Sequence, residues 1–110
     1  MGSVINLHAG IGPWTPYERA VLAAIQREFS AQGIETDCEH GRAEDGTPWT
    51  AYYAVSSGHF VAHVARQGRG YILMWPDHTS VQCRDMEQLS IVRRAAYHHA
   101  LWERTVGQSG

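Results

Sequence analysis

The side chains able to do chemistry in this chain are seven histidines, eleven carboxylates, two cysteines and nine cations, every one of them arginine. The absence of lysine removes several mechanisms together. A phosphate-loop lysine, a Schiff base, a Ser–Lys dyad and a nuclease-type E-x-K motif have no residue to build them. Metal chemistry meets a geometric test. On a regular strand His59 and His63 share a face but stand four residues apart, about 13 Å. Two ligands of one zinc, each bonded at about 2.1 Å, cannot be that far apart. A metal site would need a cross-strand or strand–loop set, such as His40 or His63 with Asp37, Glu39, Asp77 or His78. His98 and His99 are adjacent on a helix and diverge by about 100°, while His99 has ion-pair spacing to Glu103. H-E-x-x-H, H-x-H and Cys/His clusters are absent from the sequence. No cofactor and no catalytic residue is assigned.

Nucleophilic catalysis finds little more. There is no G-x-S-x-G elbow, and Ser56-Ser57 stand in a turn, where serine serves the backbone. A Cys–His pair would have to come from Cys38 or Cys83 with His40 or His78. The two cysteines lack C-x-x-C spacing, so they read as reduced thiols, and a disulfide between them would require neighbouring strands. Gly68-x-Gly70 joins two strands and is not the strand-to-helix loop that cradles a dinucleotide.

The elements that must position these groups read as follows. Residues 1–14 are an irregular lead-in broken by Gly10, Gly12 and Pro13. Thr15 with Glu18 forms a capping box around Pro16, and the spacing predicts a helix over 16–31 stopped by Gly33. Its expected buried face is Tyr17, Val21, Ala24, Ile25 and Phe29. From Ile34 to Arg42 the period becomes two, with Ile34, Thr36, Cys38 and His40 on one face and Glu35, Asp37 and Glu39 on the other. Strands follow at 49–55, 59–66 and 71–75, with a fifth at 79–83, joined by the turns Ser56–Gly58 and Gln67–Gly70. The 59–66 strand is nearly all apolar and should be central. Asp85 reads as the cap of a closing helix, with Gln88 as its partner. That helix buries Met86, Leu89, Val92, Ala96 and Ala100, flanked by Ile91, Ala95 and Trp102. It ends near Arg104, before a frayed tail at 106–110.

The expected fold is one α+β domain spanning 1–110. It is an antiparallel sheet of four to five strands, in the order α-β-β-β-β-(β)-α, with both helices on one face. The other face is then open. Trp49, Tyr52, Tyr53, His59, His63, Tyr71 and Trp75 carry more ring mass than one covered face requires, so part of the set should face outward, where Trp and Tyr act as interface anchors. Residues 35–45 hold five acids against Arg42 alone. The stripe Glu35, Asp37, Glu39 reads either as charge that protects an edge strand from aggregation or as a receiver for a basic partner.

The D-G-x-P-W of Asp45, Gly46, Pro48 and Trp49, followed by the A-H-x-A-R of Ala62, His63, Ala65 and Arg66, resembles a pattern in uncharacterised small proteobacterial proteins. Those proteins often show D-E-G-x-P-W and a later H-x-A-R before a G-x-Y turn. Here Glu44-Asp45-Gly46 stands where Asp-Glu-Gly would be expected. The resemblance covers about 25 residues; it implies a bacterial domain type and carries no activity.

The formal charge of −2 argues against a general nucleic-acid binder. The helix–sheet–helix order is similar to that of double-stranded-RNA-binding domains, but those open their last helix with lysines, where this chain has Asp85 and Glu87. Residues 1–12 show no basic, apolar leader pattern, and no apolar run approaches the roughly 18 residues of a membrane span. A cytoplasmic location is expected, with no membrane partner. The function these features favour is a small non-catalytic interaction domain: an inhibitor, adaptor or regulator, of the kind a bacterium or mobile element encodes. It would bind a protein, or a second copy of itself as a homodimer, through Glu35, Asp37, Glu39, Trp49, Tyr53, His63, Arg66 and Arg69. The alternatives are a small divalent-metal-dependent hydrolase or nuclease, and an RNA- or DNA-binding module using Arg66, Arg69, Arg93 and Arg94.

Overall fold

Thr15 starts the fold as its capping chemistry requires. In the computed structural model, which describes residues 12–76, 78–86 and 88–109, the Glu18 N–H donates to Thr15 Oγ1 at 3.1 Å and the Thr15 N–H donates to Glu18 Oε1 at 2.9 Å. Helix α1 runs from Pro16 to Ala31. Its end is a Schellman turn. Gly33, at φ 85°, donates to the Ser30 carbonyl, and Ile34 to that of Phe29. The buried face differs from the expected stripe. Glu18, Leu22, Ile25 and Phe29 point inward, while Tyr17 is 77% exposed. A carboxylate has displaced a tyrosine from the interior, and the cause is an ion pair.

Five strands follow as a meander: β1 (Thr36–Arg42), β2 (Pro48–Ala54), β3 (Phe60–Gln67), β4 (Gly70–Met74) and β5 (Ser80–Cys83). All pair antiparallel in sequence order, so β3 is central and β1 and β5 are edges. Cys38 and Cys83 lie on opposite edges, four strand spacings or about 19 Å apart, and both are free thiols. The register of β2 on β3 slips between Tyr52 and Tyr53, which pair with Ala62 and Phe60. Val61 is the extra residue of this bulge.

Helix α2 (Gln88–Ser109) closes the chain. It continues past the expected end at Arg104 and through most of the expected tail; Gly107 is tolerated there at a cost of about 1 kcal/mol. Asp85 lies three residues ahead of the first described helical residue, and residue 87 is outside the described residues, as is the Gln88 side chain that was to complete the cap. Among the described side chains of α2 the buried ones are Ile91, Val92, Ala95 and His99, whereas Ala100 is exposed. Leu89 and Trp102, also expected in that stripe, have side chains outside those described. His99 makes the expected i, i+4 contact with Glu103, at 3.4 Å. No described helix is long and apolar enough to cross a membrane.

Both helices cover the same side of the sheet. Tyr52 donates its hydroxyl to the Leu22 carbonyl of α1 at 2.7 Å, and the Trp75 ring stacks on His98 of α2 at 5.7 Å. Between them Ile25, Phe29, Val61, Val64, Ile91 and Val92 complete the core. Within it sits a charged knot. The Glu18 carboxylate accepts from the Arg66 guanidinium of β3 through two nitrogens and from the Tyr71 hydroxyl of β4 at 2.6 Å. Arg66 also donates to the carbonyls of Gly12 and Pro13 and stands over the Trp14 ring. Burial alone would raise the Glu18 pKa. The hydrogen bonds from Arg66, Thr15 and Tyr71, with the Arg66 charge, outweigh it and hold the carboxyl down at about 2.

Glu18→Ala is expected to cost about 3–5 kcal/mol in urea unfolding, because it strands a buried guanidinium. Since Glu18 binds its proton far less readily folded than unfolded, its contribution is complete above pH 4.5 and vanishes as pH falls toward 2. That loss is on the order of 3 kcal/mol. A stability–pH profile of Glu18→Gln should lack this acid limb; an identical limb in both proteins would refute the assignment.

Candidate functional site

Alternation along paired strands sorts the residues of the second sheet face into three cross-strand rows. One end carries Asp37, Tyr53 and Phe60; the middle row is Glu39, Ala51, His63, Met74 and Ser80; the other end carries Gly41, Trp49, Ala65, Ile72 and Gln82. No described element covers them. Trp49, Tyr53, Phe60, His63, Ile72 and Met74 are half-buried, with Trp49 against His63 and Tyr53 against Phe60, and Asp37 and Glu39 stand exposed along the β1 edge.

Small residues set the posture of the rings. A Cβ on Gly41 would fall 2.3 Å from the Trp49 ring, so glycine is what lets the indole lie flat across β1. On its other side Trp49 stacks on His63, a diagonal neighbour, with centroids 5.5 Å apart. Burial pushes the His63 pKa below its usual 6.5, which keeps the ring neutral. Tyr53 meets the edge of Phe60 at 6.2 Å and donates its hydroxyl to Glu39 at 3.3 Å. Burial, then the Glu39 charge and this bond, raise the Tyr53 pKa.

The two halves of the D-G-x-P-W and A-H-x-A-R pattern meet here. Asp45 Oδ1 accepts from the backbone N–H and hydroxyl of Thr47, closing the turn in which Gly46 takes φ 89°. Pro48 opens β2, and Trp49 then lies opposite Ala65 and beside His63. Arg66, the last residue of the pattern, points the other way into the Glu18 knot.

Of the expected binding residues, Asp37, Glu39, Trp49, Tyr53 and His63 share the uncovered face. Glu35 is exposed just before β1, its carbonyl accepting from Val55. Arg66 does not belong with them; its side chain is 11% exposed and lies on the helix-covered side. Arg69 is exposed at the tip of the β3–β4 hairpin. Phe60, Ile72 and Met74 join the face without having been singled out. Period-two alternation in Tyr71–Trp75 would have found Ile72 and Met74, whereas Phe60 depends on the bulge. The same bulge separates the histidines expected on one face: His59 lies 6.1 Å from His99 on the helix side, and His63 looks outward.

Of the candidate metal ligands, Asp77 lies outside the described residues and the others are likewise divided. His40 bonds Thr50 at 2.7 Å on the helix side, and His63 is two strands, about 10 Å, from Glu39. Among the described residues no three His, Cys, Asp or Glu side chains could hold an ion. Burial and then the Asp37 charge push the Cys38 thiol up to about 11, so at neutral pH it is protonated.

No protein-family model, curated protein or solved structure matches this chain. What the face can do follows from its own chemistry.

Gly41→Ala should force the Trp49 indole off β1 and cost about 1–3 kcal/mol. The displaced ring should shift the Trp49 indole N–H resonance and the His63 ring resonances together. Unchanged resonances would show that the indole does not rest on Gly41.

Proposed function

We propose that this chain is a small non-catalytic interaction domain, acting as an inhibitor, adaptor or regulator in a bacterial cytoplasm. It binds a protein partner through the uncovered sheet face. The observation that carries the reading is the half-buried band of Trp49, Tyr53, Phe60, His63, Ile72 and Met74 on a face that no described element covers. Rings held in place by Gly41 and by one another lose little freedom on docking, which is what makes an aromatic anchor effective. The occupant favoured by charge has an apolar centre flanked by arginine or lysine, because Asp37 and Glu39 line one side of the band with Glu35 beyond them. Those acids would steer the approach more than they would hold the complex.

The test uses host protein retained by the immobilised chain. Trp49→Ser with Tyr53→Ser should weaken retention about 30-fold or more, the effect of losing roughly 2 kcal/mol at a central anchor, while the circular-dichroism spectrum stays that of the folded chain and the melting temperature falls with the lost cross-strand ring contacts. Asp37→Asn with Glu39→Gln should slow association and remove its salt dependence. Full binding by the folded Trp49/Tyr53 variant would end the proposal. A concentration-dependent mass in light scattering that disappears in that variant would replace the partner by a second copy of the chain.

A further inference from the structure

On the helix side of the sheet, away from the aromatic band, the β4–β5 hairpin and α2 border an open concavity of about 720 Å³. That volume falls inside the range of roughly 300–1,000 Å³ usual for small-molecule sites. Its walls are of two kinds. Leu73, Trp75 and Ile91 present core side chains to it, and Val81 and Tyr97, 36% and 63% exposed, stand where it opens. Arg84, Arg93 and Arg94 also line it, with Asp85 the one carboxylate among the described residues there. Arg84 directly follows β5, and Arg93 and Arg94 are consecutive residues of α2. All three are exposed, and none has a carboxylate partner among the described residues.

Folding accounts for the apolar wall but not for three like charges gathered beside it in a chain whose net charge is −2. Like charges held together raise the energy unless an anion sits between them. A guanidinium presents a planar fork of donors that fits carboxylate and phosphate alike. We infer that this cavity binds a small amphipathic anion: a carboxylate or phosphate head held by Arg84, Arg93 and Arg94, and an aliphatic or aromatic body lying against Leu73, Trp75 and Ile91. A nucleic-acid backbone would use the arginines and leave the apolar wall empty, which is why a small ligand is the occupant favoured. This site is separate from the aromatic face and stands or falls without it.

The test titrates the intact chain with octanoate, octyl phosphate, octanol, acetate, inorganic phosphate and a short oligonucleotide, followed by calorimetry and amide resonances. Octanoate or octyl phosphate should bind and shift Val81, Arg84 and Arg93, and the tighter of the two identifies the head group. Octanol, lacking the charge, and acetate or phosphate, lacking the body, should each bind at least tenfold more weakly. Arg93→Gln with Arg94→Gln should weaken the alkyl anions about tenfold or more with the melting temperature and the octanol affinity unchanged. Val81→Glu, which sets a carboxylate at the opening, should weaken the same anions by its charge. Silence with both alkyl anions, equal affinity for octanol and octanoate, undiminished binding by the double variant, or shifts with the oligonucleotide alone would each overturn the assignment.

Discussion

The Glu18–Arg66 pair is the constraint from which the arrangement of this fold follows. A carboxylate and a guanidinium taken out of water lose several kcal/mol of hydration each, and their mutual attraction returns that only when the remaining donors and acceptors are also satisfied. Here they are: Thr15, Tyr71 and the carbonyls of Gly12 and Pro13 complete the set. Such a pair contributes little net stability over an apolar substitute of the same shape. What it does contribute is register. Glu18 can meet Arg66 only if α1 is rolled so that position 18 faces the sheet, which sends Tyr17 into solvent and brings Leu22 in over Tyr52. One interaction thereby sets the roll of the helix, the seating of the lead-in through Gly12–Trp14, and the phase of β3 and β4 beneath it.

The phase of β3 decides the other side of the sheet. With Arg66 turned toward the helices, Ala65 and His63 must turn away, and Trp49, opposite Ala65, turns away with them. The bulge at Val61 then keeps both Val61 and Ala62 in the core and returns Phe60 to the outer face beside Tyr53. Without the bulge, strict alternation through Val61 would put Phe60 under the helices and carry His59 outward. The ring band is therefore the complement of the inner core, fixed by the same pairings.

The features legible in the sequence were those governed by local chemistry. Thr15, Pro16, Glu18 and Gly33 have one good conformational use each, and α1 ends where they say. The turn glycines marked the meander, and the acids alternating with Thr36, Cys38 and His40 placed Glu35, Asp37 and Glu39 away from the core. Features decided by non-local pairing were hidden. An apolar stripe drawn through Tyr17 ignores a glutamate whose partner is 48 residues away. His59 and His63 look alike on any alternating strand until the bulge separates them. Arg66 reads as a surface cation because burial of arginine is rare without a partner that sequence spacing does not reveal.

Net charge is a sum that hides where the charges lie. The formal value of −2 averages over an uneven distribution: acids gather along β1 and the turn after it, whereas residues 77–104 carry four arginines and four carboxylates, with Arg84, Arg93 and Arg94 lining the concavity beside α2. With a Debye length of about 8 Å at physiological ionic strength, edges separated by four strand spacings scarcely sense each other. Each therefore acts on its surroundings as though alone. An argument from the sum excludes anion recognition; an argument from the two ends does not. A sheet with one face covered by helices and the other lined with rings offers two chemically distinct surfaces, and nothing in the fold requires them to serve the same molecule.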